Sequence, residues 1–227
     1  MSRKFSSLIC AVLLLVGVAH LRAAEVVDRI VATVNGHIIL QSDWQSAICY
    51  AALVDGRTVE QISPSERKAA LDRLIDQELL QEQMHSADIK RATDDEVSFR
   101  IQEIRKQYAQ VQDDQGWRNL LAQHGLTEEE FSERVALQLD LDRLVDRRLR
   151  PGIDIDASSI ERYYNQELLP QLRQAGAADV PLAEVTPKIK ELLTQQKMNE
   201  LLVAWLQNLR SGSEIQTEAP EATGGLR

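Results

Sequence analysis

The sequence predicts a mostly α-helical protein whose few strands are confined to its two ends. Three observations carry this prediction. Asn35-Gly36 sits between β-branched runs near the start of the chain. Capping-box spacings open a succession of apolar-periodic stretches behind it. A lone apolar segment around Ile215 follows the last of those stretches. Composition agrees: 27% of residues are charged and 4% aromatic, the balance of a helix-rich chain and not of a disulfide scaffold.

The first element reads as a secretory signal. Arg3 and Lys4 precede an uncharged apolar run over residues 8–19, and small residues follow at Ala19, Ala23 and Ala24. A bilayer span needs about 20 apolar residues, so the run favours export over a membrane span, with an uncleaved N-terminal anchor as the alternative. Cleavage after Ala24 would put Arg22 at the third-last position, so the exact site stays open. Removing residues 1–24 leaves 23 basic against 35 acidic residues, a net charge of −12 in place of −9. Such a balance disfavours nucleic acid as a partner, since no basic excess exists to displace counterions. Cys49 would then be the remaining cysteine; Ile48, Ala51, Ala52 and Leu53 around it predict a buried, inert thiol.

Val27, Ile30, Val31 and Val34, then Asn35-Gly36, then Ile38 and Ile39 predict a hairpin with a type I′ turn, which needs positive φ at both central residues. Such a hairpin is marginal alone in water and must lean on a partner. Ser42 and Gln45 have capping-box spacing, which predicts a helix opening at Ser42. Ser63-Pro64-Ser65-Glu66 opens the next, with Leu71, Leu74, Ile75, Leu79, Leu80 and Met84 on its period. Thr93 with Glu96 opens a third, backed by Val97, Ile101, Ile104, Tyr108 and Val111. Thr127 with Glu130 opens a fourth, which runs through Phe131, Val135 and Leu144 to a stop at Pro151-Gly152. A further helix is expected from Ala157, broken at Leu169-Pro170 and Gly176. The last is expected from Thr186-Pro187 to Ser211-Gly212, with a short strand at Ile215. That strand is the one later candidate to complete the hairpin's sheet, so the two ends are expected to close one module. The divisions are residues 1–24, 25–156, 157–216 and a disordered Pro/Gly-rich tail at 217–227.

Catalytic and metal-ligand motifs are missing. His37, His85 and His124 are far apart, and no HExxH, GxSxG, GxGxxG or P-loop is present. No cofactor and no metal are expected. Asp113-Asp114 and the acids at 128–130 have turn and helix-start roles. The Trp205/Leu206/Leu209 stripe reads as core.

At this point the residues resemble a family. VVDRIVATVNGHIILQSDW is similar to the opening of the SurA-type periplasmic chaperones. ALDRLIDQELLQEQ, ATDDEVSFRIQEI and FSERVALQLDLDRL resemble the helices that follow, and VTPKIKELLTQQKMNELLVAWLQNLR with Ile215 resembles the closing helix and strand. The resemblance implies a SurA-like chaperone module: a helical bundle with a small N-terminal hairpin, completed by a C-terminal helix and strand. It also implies a periplasmic, ATP-independent holdase whose partners are unfolded outer-membrane or secreted polypeptides. The parvulin-type prolyl isomerase domains usual in the family have no room here, since about 30 residues separate Asp156 from Thr186, below the 50 or more of a domain. No catalytic residue is therefore carried over and no enzyme activity is expected. Trp44, Tyr50, Trp117 and Tyr164 are the candidate peptide-binding residues. A subunit dedicated to one folded partner and a degenerate prolyl isomerase are the alternatives. A homodimer and exchange of elements between chains stay open.

Overall fold

The computed structural model describes residues 28–218 apart from residues 88 and 112; the predicted signal at 1–24, Val27 of the predicted hairpin and the end of the tail at 219–227 lie outside them. Strands β1 (Ile30–Val34) and β2 (His37–Leu40) form the expected hairpin, with Val34 opposite His37 and the register shifting between Ile30 and Ala32. Asn35 (φ 49°) and Gly36 (φ 87°) supply the two left-handed turn residues. Strand β3 (Ile215–Thr217) pairs antiparallel with β1, Val34 facing Ile215, in the order β2-β1-β3. The N-terminal strand is thus the centre of the sheet, and the chain's last described residues complete it. Thr217, placed at the head of the tail by sequence, belongs to this strand, and the Glu218 N–H still donates to the Val31 carbonyl at 3.0 Å.

Helix α1 (Gln41–Val54) follows β2 without a linker. It opens one residue earlier than Ser42, and the expected Ser42–Gln45 box does not form. Asp43 Oδ2 instead accepts from the Leu40 N–H at 2.9 Å, while the Ser42 N–H and hydroxyl are both taken by Asp28. Gln45 turns to the Cys49 sulfur at 3.6 Å; that thiol is buried and unpaired, as expected. The boxes at Ser63, Thr93 and Thr127 do form. They open α2 (Pro64–Ser86), α3 (Asp94–Arg105) and, further on, α5 (Glu128–Leu149). Between α3 and α5 lies α4 (Asp114–Gln123), a helix not expected from sequence. Asp113 caps it by accepting from the Gly116 N–H at 2.7 Å.

Residues 157–181, where the family resemblance would set an isomerase domain, are a helical arm and a short loop. The arm comprises α6 (Ala157–Tyr163), a π-helical turn (Tyr164–Leu168) and α7 (Leu169–Gln174). The predicted break at Leu169-Pro170 does not occur. The wider turn, in which the Leu169 N–H reaches back to the Tyr164 carbonyl, admits the proline without interrupting the helix. Helix α8 (Leu182–Ser211) starts four residues before Thr186, so Pro187 lies inside its second turn and forfeits one backbone bond.

The core divides into clusters. One joins Cys49 and Leu53 of α1 to α3, α4 and α5, centred on fully buried Phe131, whose ring meets Trp117 edge-on at 5.4 Å. A second packs Val31, Val34 and Ile39 of the sheet on Leu71, Ile75 and Leu79 of α2. A third brings α8 back: Trp205, Leu206 and Leu209 cover Leu80 and Met84 of α2 and Leu141 and Leu144 of α5. Arg210 fixes that return through Asp76 at 2.6 Å and the Asp72 carbonyl at 2.9 Å.

Candidate functional site: an open groove among four helices

Helix α1 is apolar on two faces. Ile48, Cys49, Ala52 and Leu53 are buried in the core, whereas Ala47, Tyr50, Ala51 and Val54 are half-buried. The second set has the spacing i, i+3, i+4, i+7 of a complete helical stripe, which an ordinary surface helix would show once. This second stripe forms one wall of a depression of about 440 Å³. The facing walls are Ala70, Leu74 and Leu80 of α2, Leu137 and Leu141 of α5, and Leu202 and Leu206 of α8. Alanine at 47, 51 and 70 keeps this space open, since a branched side chain at those points would reach across it.

A second depression of about 510 Å³ adjoins the first across the lining residues they share, Leu74, Gln77, Arg134 and Leu137. It runs on past Ile39 to Ile38 of the edge strand β2, which is 56% exposed. Its polar rim at this end is acidic, with Asp43, Glu78, Glu130 and Glu133. Burial raises the pKa of the Tyr50 phenol, opposed by the charges of Arg100 and Arg134, which keeps it a neutral hydrogen-bonding group in the wall.

Of the four aromatic residues proposed from sequence, the structure places Tyr50 in the groove, tilted against Phe131 at 5.4 Å. The other three are elsewhere. Trp44 wedges between α1 and α2 and donates its indole N–H to the Arg67 carbonyl at 2.7 Å. Trp117, 3% exposed, is core. Tyr164 ties the arm together by donating to the Val180 carbonyl at 2.7 Å. The groove's aliphatic and arginine residues were missed by sequence reasoning, which looked for aromatic rings. The signal that marks them is the double apolar face of residues 47–54.

The histidines have local roles. His37 meets Glu78 at 3.2 Å, the His85 ring the Gln81 carbonyl at 2.9 Å, and His124 the carbonyls of Leu120 and Arg57 at 3.0 and 3.2 Å. Among the described residues no cluster of His, Cys, Asp or Glu is arranged to hold a metal ion, and no helix is long and apolar enough to cross a membrane.

Fold and groove together define a mostly α module, closed by its own C-terminal strand, that keeps open to solvent a groove with an apolar part between the helices and an acidic part toward the sheet. Residues 3–145 match the family described as the SurA-like N-terminal domain, and the chain belongs to that family. It is 26% identical over 207 residues to the Chaperone SurA of Hydrogenovibrio crunogenus, a match covering 88% of this chain and 44% of that protein. The chain therefore spans less than half the length of this curated relative.

Proposed function

We propose that the protein is a periplasmic, ATP-independent holdase that takes apolar segments of unfolded outer-membrane or secreted polypeptides into the groove between α1, α2, α5 and α8. The observation that carries this reading is the second apolar stripe of α1, which the protein's own core covers only in part. A groove of aliphatic walls and a charged rim accepts many sequences, because apolar contact is non-directional. Burying one large aliphatic side chain contributes about 1.5–3 kcal/mol. Two or three such side chains, less the cost of ordering the client, give the modest affinity that release without ATP requires. The relative's name supports a chaperone role, and the helical arm at residues 157–174 supports a role without prolyl isomerase activity.

The test is light scattering of an unfolded outer-membrane barrel protein diluted into buffer with the chain from residue 25 onward. Suppression at a near-stoichiometric ratio is expected, and its loss on Ala51→Glu, which sets a carboxylate in the apolar wall. Equal suppression by a folded Ala51→Glu variant would refute the groove. No suppression by the folded wild type would favour a dedicated partner, sought next by pull-down from a periplasmic extract.

A further inference from the structure

The groove's charges are unevenly engaged. Around the first depression each rim carboxylate has a partner in the protein: Asp55 pairs with Arg57 at 2.9 Å, Asp76 with Arg210 at 2.6 Å, and Asp142 accepts from Gln138 at 2.8 Å. The two arginines of the same rim differ. Arg73 of α2 and Arg134 of α5 make no hydrogen bond and no ion pair among the described residues. The charge of Arg134 acts on its neighbours Glu130 and Tyr50, in each case toward a lower pKa. A protein with nine more acidic than basic residues thus leaves two unpaired guanidinium groups beside the apolar part of the groove.

From this we infer that Arg73 and Arg134 select client segments carrying an aspartate or glutamate side chain among apolar residues. Guanidinium groups bind carboxylates through paired, charge-assisted hydrogen bonds. Arg134 lines both depressions, so a segment filling the whole groove presents its middle to Arg134 and not its end. The carboxylate is therefore a side chain within the segment and not a chain terminus. At the sheet end, Asp43, Glu78, Glu130 and Glu133 repel a second carboxylate, which restricts the acid to the central and α8 part of the segment. The inference rests on the groove reading above and adds to it a basis for choosing among apolar segments.

The test uses fluorescence anisotropy with acetylated, amidated peptides of about ten apolar and small residues, identical except for a central Glu or Gln. Capped ends remove terminal charges from the comparison. At low salt the Glu peptide is expected to bind about fivefold tighter, as for a solvent-accessible charge-assisted pair. The difference should shrink toward parity at about 0.5 M salt. Arg73→Gln with Arg134→Gln should abolish the preference, the Glu peptide losing more affinity than the Gln peptide. Should the double variant not fold, exposed Arg73→Gln alone is expected to reduce the preference. Equal binding of the two peptides, or a preference that survives in the folded variant, overturns the arginine inference and leaves the groove standing. Binding of neither peptide overturns both.

Discussion

Asn35→Asp is the most incisive change available in the closure of the chain's two ends. Asn35 Nδ2 donates to both carboxylate oxygens of Glu82 at 3.0 and 2.8 Å and to the Ser213 hydroxyl at 3.2 Å. Its Oδ1 accepts from the Glu214 N–H at 2.9 Å, and its backbone N–H donates to the Glu214 carbonyl at 2.8 Å. One side chain thus joins the β1–β2 turn to α2 and to the start of β3. Aspartate has the same shape and is as much at home in a type I′ turn, so the turn itself should survive. The donors vanish and a second negative charge faces Glu82 at about 3 Å. A lost hydrogen bond to a charged acceptor at an exposed site is worth about 1 kcal/mol. Two like charges at that distance repel by about 1.4 kcal/mol in water. The sum, about 2 kcal/mol, corresponds to a fall in Tm of about 4–8 °C for a domain of this size. Thermal unfolding followed by circular dichroism at low salt is the assay. Glu82→Gln in the Asn35→Asp background should recover most of the loss, because it replaces the repelling carboxylate with an amide that can donate to the one introduced in the turn. A Tm within about 1 °C of wild type, or no recovery in the double variant, would show that this contact does not hold the ends together.

Three further outcomes are expected. Deleting residues 211–227 removes β3 and leaves an edge of β1 unpaired, so Tm should fall by several degrees in a thermal melt; an unchanged melt would mean the strand contributes nothing. Glu66 and Glu96 are both held at a pKa of about 2, Glu66 chiefly by the Ser63 hydroxyl and N–H and then Arg57, Glu96 chiefly by the Thr93 N–H and then Arg143. Both bind protons more weakly in the folded than in the unfolded chain, so their stabilisation is complete above about pH 4.5 and is lost as pH falls toward 2. The Tm of wild type should therefore drop more steeply across that window than that of Glu66→Gln or Glu96→Gln, and parallel curves would contradict this. Ala51→Glu should leave far-UV circular dichroism unchanged while abolishing the suppression of client aggregation, since Ala51 is on the half-buried face of α1 and not in its core.

Elements specified within a few residues were legible in the sequence. The turn at Asn35-Gly36 and the boxes at Ser63, Thr93 and Thr127 formed because the turn needs only its own two residues and each capping side chain finds its partner three residues away. Where the partner is distant, local reading failed. Ser42 looked like a cap but is claimed by Asp28, fourteen residues earlier, and the helix start passed to Asp43. Helix α4 escaped notice because it is short and carries Gly116 in its first turn, a residue that opposes helix formation; what holds it is the insertion of Trp117, Leu120 and Leu121 into the core around Phe131. Pro170 looked like a stop because a π-helical turn is not encoded by any local spacing. The groove was less legible still. Aromatic residues were the natural candidates for a binding surface, yet three of the four are tied up in the core or in backbone contacts. The empty space comes from the alanines at 47, 51 and 70, whose significance depends on which helices face them.

Closure and groove are parts of one construction. Leu202 and Leu206 form the far wall of the groove, and both lie on α8, whose position is set beyond them by Arg210 on Asp76 and by β3 on β1. Residues 28–149 supply the walls from α1, α2 and α5, but the wall from α8 depends on the return of the chain's other end. Stability and binding should therefore be coupled in one direction. A change that loosens the return, such as Asn35→Asp, should weaken client binding as well as lower Tm, because the α8 wall becomes less firmly held. A change in the α1 wall, such as Ala51→Glu, should weaken binding with Tm unaltered. If Asn35→Asp lowered Tm and left client binding intact at a temperature where the protein is folded, α8 would be no more than a brace, and the groove would be the work of α1, α2 and α5 alone.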